Sequence, residues 1–215
     1  MSLKLTYSKK EEETTADFME NEEALWKAFR QGEKKALSMI YQQHFFKLYN
    51  YGMKVSPDRE LVKDCIQELF VYIWKSRATL SHTSSIKYYL FRSLRRKMVE
   101  EIRKTNRIAA SHQRFQEFSF ELPHEQKIIA EQLSAEKAEK LLSCLNKLPK
   151  RQKEALFLRY YENLSPQEVS SIMGLSIEST YVLFSKAISL LRKNLLKLVS
   201  IGLPLLLMLR YLSLV

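Results

Sequence analysis

The sequence predicts an all-α fold from its low content of turn residues, its hydrophobic periodicity and its helix-capping signals. Only 4 Gly and 5 Pro occur among 215 residues, whereas strands joined by tight turns need more of both. Apolar residues recur at three- and four-residue steps over most of the chain, which is the period of a helix that buries one face. We therefore expect long helices with short connections.

Composition divides the chain into five segments. Residues 1–20 are polar and of mixed charge, and we expect a flexible arm. Residues 21–104 and 130–194 carry the helical period and are predicted to form two small helical domains. Residues 105–129 lose that period and are interpreted as a flexible linker, and residues 195–215 form an apolar tail. In the first domain, Ser56 or Asp58 is predicted to cap the helix that follows.

The charge and the cysteines indicate the kind of partner and the compartment. A net charge of +11 favours a polyanion, either nucleic acid or an anionic membrane surface, although a basic protein without such a partner has the same composition. Cys65 and Cys144 lie within apolar helical patterns, so we expect buried free thiols in a reducing cytoplasm. No apolar segment near the start resembles a secretory signal.

Two N-cap signals around one glycine predict a helix-turn-helix in the second domain. Ser165 and Glu168 have the spacing of a capping box, Gly174 ends that helix, and Ser176 caps the next. Two short helices joined by a three-residue turn form the unit whose second helix enters the DNA major groove. An ordinary helical hairpin is the alternative interpretation.

A polar stripe in the first domain is a candidate docking surface. Asp64, Gln67 and Glu68 recur at i, i+3 and i+4, next to the apolar face of the same helix. An acidic stripe on a rigid helix suits docking against a basic helix of another protein. A solvated surface with no partner is the alternative.

The helix predicted from residue 86 to about 104 combines basic and aromatic side chains. Two features are needed to hold single-stranded DNA: cations that bind the phosphates, and aromatic rings on which unstacked bases stack. A purely structural role would place some of the rings, such as Phe91, in the core. The other members of this set are Lys87, Tyr88, Tyr89, Arg92, Arg95, Arg96, Lys97, Arg103 and Lys104.

These motifs resemble those of sigma factors of the extracytoplasmic-function (ECF) type. The pattern Asp64-x-x-Gln67-Glu68-x-Phe70 is similar to their region-two motif, and the string LNKLPKRQKEALFLRYYENLSPQEVSSIMGLSIEST is similar to their region four. The resemblance covers about residues 21–192. It implies core RNA polymerase and promoter DNA as partners, together with an anti-sigma factor, and it implies neither an enzyme nor a cofactor.

The resemblance also implies roles for individual residues. Asp64, Gln67, Glu68 and Phe70 would bind core polymerase. The basic helix would open the downstream (−10) element while the preceding loop holds a flipped base, through Arg77, Thr79, Tyr88, Tyr89, Arg92, Arg95, Arg96 and Lys97. The second helix of the helix-turn-helix would contact the upstream (−35) element, through Ser165, Ser176, Ser179, Thr180, Tyr181, Ser185 and Lys186.

Two positions depart from the family pattern. No Lys or Arg lies between Arg159 and Lys186, so the recognition helix should bind DNA weakly by itself. Either its Ser, Thr and Tyr side chains contact bases, or its apolar face is covered by protein in a resting state. Arg96 stands where relatives usually carry Asn, which bears on base choice.

The apolar tail and the scattered histidines complete the sequence-based expectations. Pro204 interrupts the tail between Lys197 and Arg210, so packing of the tail on the protein's own recognition helix, as an intramolecular brake, is favoured over a membrane span. No His/Cys spacing suits a metal site. A stand-alone helix-turn-helix regulator is the first alternative function, and a membrane-associated adaptor, which rests only on the tail, is the other.

Overall fold

The computed structural model describes residues 21–108, 118, 120 and 135–196. The predicted arm (1–20), most of the predicted linker and nearly all of the tail lie outside the described residues. The chain divides into two compact units, residues 1–115 and 116–215. The described residues of both units are helical and include no strand, so the predicted all-α fold is confirmed there.

Four helices form the first unit: α1 (Glu22–Arg30), α2 (Lys34–Val55), α3 (Arg59–Ser76) and α4 (Ile86–Ile108). Asn21 caps α1, and its side chain accepts hydrogen bonds from the backbone N–H groups of Glu23 and Ala24. Asp58 caps α3 through Glu60 N and Leu61 N, both at 3.1 Å, which decides between the two predicted caps. Helix α4 ends at Ile108, four residues beyond the predicted end of the first domain at residue 104.

The core of the first unit lies where α2, α3 and α4 pack against one another, with α1 on α2. The residues with 0–1% exposed surface include Trp26, Phe29, Tyr51, Ile66 and Phe91. Large rings and branched aliphatic side chains buried in this way supply most of the stabilisation of a small helical domain. Cys65 is a free, buried thiol in this core, and burial raises its pKa to about 11.

The second unit contains α5 (Ala135–Asn146), α6 (Lys150–Leu156), α7 (Pro166–Met173) and α8 (Ile177–Leu196). A π turn, Phe157–Tyr161, continues α6, and α8 packs on α5, α6 and α7. Phe118, within the predicted linker, is fully buried, and its ring lies 5.6 Å from that of Phe157. Part of residues 105–129 therefore belongs to the second unit's core.

The helix-turn-helix has the predicted local structure. The Ser165 side chain accepts a hydrogen bond from Glu168 N, while the Glu168 carboxylate accepts one from Ser165 N at 2.7 Å. Gly174 ends α7 at φ 64°, a left-handed conformation that costs a residue with a Cβ about 1 kcal/mol or more. Ser176 Oγ accepts from Ser179 N at 3.1 Å and caps α8. The predicted capping box, glycine stop and second cap are confirmed.

Candidate nucleic-acid and partner-binding surfaces

The polar stripe of α3 faces solvent. Asp64, Gln67 and Glu68 are all exposed, while Cys65, Ile66, Leu69 and Ile73 fill the buried face of the same helix. The helical period thus fixes the stripe on a rigid support, because the opposite face is locked in the core. Three exposed side chains with two negative charges form a surface that attracts a basic partner.

Glu68 forms an ion pair with Lys97 of α4. The side chains retain 64% and 27% of their exposure respectively, and the hydrogen bond from Lys97 to Glu68 raises the pKa of the lysine. Because the pair is partly solvated, it contributes at most about 1 kcal/mol. The structure therefore brings together one residue expected to contact polymerase and one expected to contact DNA.

Phe70 occupies a different position from the other three predicted docking residues. Its side chain is only 7% exposed and meets the ring of Tyr41 edge-on, with the ring centroids 4.9 Å apart. Phe70 thus packs between α2 and α3 and does not lie on the exposed polar stripe.

An apolar groove of about 450 Å³ opens between α2 and α3 beside the polar stripe. Tyr41, Phe45, Phe70 and Trp74 are among its walls, with Gln67 at one side. Large apolar side chains remain exposed on the same two helices, at Tyr41, Phe46, Val71 and Tyr72. Sequence reasoning did not identify the groove, although the i, i+4 spacing of Tyr41 and Phe45 was a signal for an aromatic face on α2.

The cations of α4 divide between an exposed face and its flanks. Arg92 and Arg96 are exposed, and Tyr88 is half-buried one turn before Arg92. Arg92 Nη1 donates to Tyr88 Oη at 3.3 Å, so a ring and a guanidinium lie side by side. Arg95 and Lys97 are half-buried at the edges. The exposed face therefore carries two cations beside a half-buried ring, and these are the two kinds of group that can hold single-stranded DNA.

Residues 77–85 form the loop between α3 and α4. Arg77 lies at its start, where Nη1 donates to Trp74 O at 2.8 Å and the guanidinium sits 4.4 Å from the centre of the Trp74 ring. These contacts give Arg77 a structural role at the end of α3. Thr79 is exposed, and its hydroxyl donates to Ser76 O at 2.9 Å. Leu80 is buried and fixes the middle of the loop.

On α8, the residues expected to contact DNA do not share one face. Ser179, Tyr181, Ser185 and Lys186 are exposed. Thr180 has 0% exposure, and its hydroxyl donates to Ser176 O at 3.0 Å. That inward position removes Thr180 from the set of candidate DNA contacts, because a fully buried hydroxyl has no access to a base edge.

The two capping serines are already engaged by their helices. Ser165 Oγ donates to Glu168 Oε2 at 2.9 Å, and the hydroxyls of Ser176 and Ser179 lie 3.0 Å apart. Near the start of α8, the backbone and Ser176 lower the pKa of Glu178, which keeps its carboxylate charged. An anionic group at this end of the recognition helix opposes the approach of phosphate.

The described residues include neither a metal-binding cluster nor a helix able to span a membrane. Within residues 21–108 and 135–196, with Phe118 and Phe120, no cluster of three His, Cys, Asp or Glu side chains could hold a metal ion. Of the helices in those same ranges, none has both the length and the apolar character needed to cross a membrane.

Comparison with known proteins places both units in one class, the sigma-70 factors. The family described as Sigma-70 region 2 matches residues 40–108, and Sigma-70, region 4 matches residues 138–191. Together the two matches span more than half of the chain. The chain therefore belongs to the sigma-70 family, as a factor of the ECF type. Factors of this family direct promoter-specific initiation of transcription.

Curated relatives agree with this assignment. The ECF RNA polymerase sigma factor SigM of Bacillus subtilis is 26% identical over 140 residues, which cover 64% of this chain and 81% of that protein. The RNA polymerase sigma factor YlaC of the same organism is 24% identical over 166 residues, covering 76% and 94%.

Solved structures share the fold. CnrH in complex with the cytosolic domain of CnrY aligns with a TM-score of 0.53 at 20% identity, over 80% of this chain and 96% of that one. The sigma factor RpoE of Bartonella quintana, in complex with the anti-sigma factor NepR, aligns with a TM-score of 0.53 at 22% identity, over 75% and 95%. The predicted arrangement of a region-2-like and a region-4-like helical domain is thereby confirmed.

Proposed function

We propose that this sigma factor acts through three surfaces: α3 binds core RNA polymerase, α4 with its preceding loop holds the opened −10 element, and α8 contacts the −35 element. The observation that carries the proposal is that the first unit combines an exposed acidic stripe on α3 with two exposed arginines beside the half-buried ring of Tyr88 on α4. A protein that binds duplex DNA by itself needs neither of these surfaces.

Core docking combines charge with an apolar anchor. Asp64, Gln67 and Glu68 are exposed beside the groove whose walls include Tyr41 and Phe45. Acidic side chains steer a basic helix towards α3, and burial of an apolar side chain in the groove slows its dissociation. A basic, amphipathic helix of core polymerase fits both features.

Strand opening requires groups that stabilise single strands more than duplex. Tyr88 offers a ring for a base that has left the stack, while Arg92 and Arg96 lie at successive turns to follow the backbone phosphates. Unstacking a base costs a few kcal/mol. Stacking on a tyrosine recovers about 1–3 kcal/mol, and the phosphate contacts contribute the rest.

The lack of cations in the first nine residues of α8 makes the −35 contact dependent on polymerase. Lys186 is the first cation on α8, and Arg192 and Lys193 follow near its end, whereas the first turn carries the acidic Glu178. Little counterion release is available at the start of such a helix. Attachment to polymerase raises the effective concentration of α8 near promoter DNA, so that a low intrinsic affinity is sufficient. The stand-alone regulator is disfavoured for the same reason.

An anti-sigma factor is the proposed regulatory partner. CnrH was solved in complex with the cytosolic domain of CnrY, and the Bartonella quintana RpoE was solved in complex with the anti-sigma factor NepR. We assign this chain to the cytoplasm, where polymerase and promoter DNA are found, and we assign it no catalytic activity. Tail docking on α8, which involves residues outside the described ranges, remains a proposal.

The −10 surface is tested by Arg92→Gln, Arg96→Gln in the full-length protein. The matched control is Lys27→Gln, Lys75→Gln, which removes two exposed cations from α1 and α3. Strand opening is followed by 2-aminopurine fluorescence with core polymerase and a promoter selected from a random pool. We expect the arginine variant to lose opening and to reduce the slope of log K against log salt by about 1–2, because single-strand phosphate contacts contribute about 0.7 each. Equal loss in both variants would contradict a role specific to α4.

A further inference from the structure

The loop of residues 77–85 is held by α1, a helix that lies outside both matched regions of the family. Trp26 Nε1 donates to Ser81 O at 3.0 Å, and Glu22 Oε2 accepts from Ile86 N at 3.0 Å. The first bond fixes the middle of the loop and the second fixes its junction with α4. Both join residues more than 50 positions apart in sequence, so tertiary packing alone creates them.

Trp26 links the loop to the DNA-facing helix. Its side chain is fully buried, and its ring lies 5.2 Å from that of Tyr89 and 5.0 Å from that of Phe29. Because the indole N–H donates to Ser81 O, the ring cannot rotate without breaking this partly buried hydrogen bond. One side chain therefore fixes the loop backbone relative to an aromatic residue of α4.

Glu22 acts at the other end of the loop. Its carboxylate binds the first N–H of α4, which has no partner within the helix. Ser85 Oγ accepts from Tyr88 N at 3.2 Å, and Thr83 Oγ1 bonds both the N–H and the carbonyl of Ser85. The loop therefore enters α4 through a turn in which the N–H groups of Ser85, Ile86 and Tyr88 are all hydrogen-bonded to side chains.

Four polar side chains are exposed on this anchored backbone, those of Thr79, Ser81, His82 and Ser84, while Leu80 is buried between them. Hydroxyl and imidazole groups can bond the edge of a base that has left the stack. Since the backbone that carries them is ordered in advance, little conformational entropy is lost when the base binds.

We propose that Trp26 and Glu22 are positioning residues for base capture, which hold loop 77–85 in its base-binding conformation before DNA arrives. The inference rests on the proposed function of α4 and its loop in holding the opened −10 strand. It assigns to α1 a role in promoter specificity that acts through the loop. Each anchoring hydrogen bond should affect base discrimination by about fivefold, since a typical one contributes about 1 kcal/mol.

The test compares two adjacent glutamates in the first turn of α1. Glu22→Ala removes the bond to Ile86 N, whereas Glu23→Ala removes the same charge from a side chain that does not contact the loop. Full-length variants with core polymerase are titrated with non-template −10 oligonucleotides of a selected promoter, each carrying one base change. We expect Glu22→Ala to lose about fivefold discrimination at one or two positions, Glu22→Gln to retain it through its amide oxygen, and Glu23→Ala to match wild type.

Trp26→Phe provides the second arm, because it keeps a buried aromatic ring and removes the donor to Ser81 O. The smaller ring also leaves a cavity, which lowers stability but does not by itself select particular base positions. This variant should lose discrimination at the same positions as Glu22→Ala. Wild-type discrimination in both variants would overturn the inference, and so would a uniform loss at every position that tracks a lower melting temperature. Failure of wild type to bind any −10 oligonucleotide with core polymerase would overturn the proposed function as well, which distinguishes the two outcomes.

Discussion

Gly52 offers a sharp test of how closely α2 and α3 approach. It lies inside α2, where glycine is normally about 1 kcal/mol less favourable than alanine. An added Cβ would stand 2.6 Å from Val62 Cγ1 of α3 and 3.5 Å from Met98 Sδ of α4. A residue with a side chain would not fit at position 52, because α2 lies there in close contact with α3, the helix that carries the polar stripe.

We expect Gly52→Ala to destabilise the first unit by about 2 kcal/mol. A contact of 2.6 Å forces movement of Val62, which is itself fully buried, and overpacking of this kind costs about 1–3 kcal/mol. An overpacking cost at the upper end of that range, about 3 kcal/mol, minus a gain in helix propensity of about 1 kcal/mol gives the expected destabilisation of about 2 kcal/mol. For a domain of this size, the melting temperature should fall by about 8 °C or more.

Intrinsic fluorescence isolates this unit, because both tryptophans of the chain, Trp26 and Trp74, lie in it. Urea and thermal unfolding of Gly52→Ala, Val62→Ala and the double variant complete a mutant cycle. The double variant should be at least about 1 kcal/mol more stable than the sum of the single effects predicts, since the smaller side chain accommodates the new Cβ. An increase in stability for Gly52→Ala, or strict additivity, would refute the close approach.

Three further predictions concern charge and the tail. Burial, with nearby lysines, lowers the pKa of His44 from 6.5 to about 4. The neutral imidazole therefore contributes about 3 kcal/mol to the free energy of unfolding above pH 6.5, and this stability is lost as the pH falls towards 4. Urea midpoints should fall more steeply with acid in wild type than in His44→Leu, and equal slopes would contradict this prediction. A mutant cycle of Lys97→Met and Glu68→Gln should give a coupling of at most about 1 kcal/mol that shrinks with salt, and a value above 2 kcal/mol would mean that this partly exposed pair is shielded from solvent. Deletion of residues 198–215 should strengthen binding to a −35 duplex in an electrophoretic assay, and an unchanged affinity would contradict the intramolecular brake.

Features set by short stretches of sequence were predictable. The capping box of Ser165 and Glu168, the left-handed Gly174 and the cap at Ser176 follow from chemistry within four residues. The hydrophobic period likewise fixed which face of α3 is buried, and so placed Asp64 in solvent. The helix-turn-helix and the polar stripe were predicted correctly for this reason.

Features that depend on tertiary contacts were not predictable in the same way. Thr180 points inward because α8 rests on α6 and α7, and the neighbouring positions do not reveal that rotation. Arg77 folds back onto Trp74, whereas the family resemblance implied a contact with DNA. The bond from Trp26 to Ser81 and the groove beside Tyr41 arise only when separate helices meet.

The most direct test of the account is run-off transcription with purified bacterial core polymerase and a promoter pool. Wild type is compared with Asp64→Lys, Glu68→Lys, and with Glu23→Lys, Glu33→Lys as a control of equal charge change on exposed acids of the same unit. The account predicts promoter-specific transcripts from wild type and the control, and none from the α3 variant, because a basic stripe repels a basic partner helix. Undiminished transcription by the α3 variant would contradict the docking surface, and its absence from wild type, with or without the tail, would contradict the proposed function.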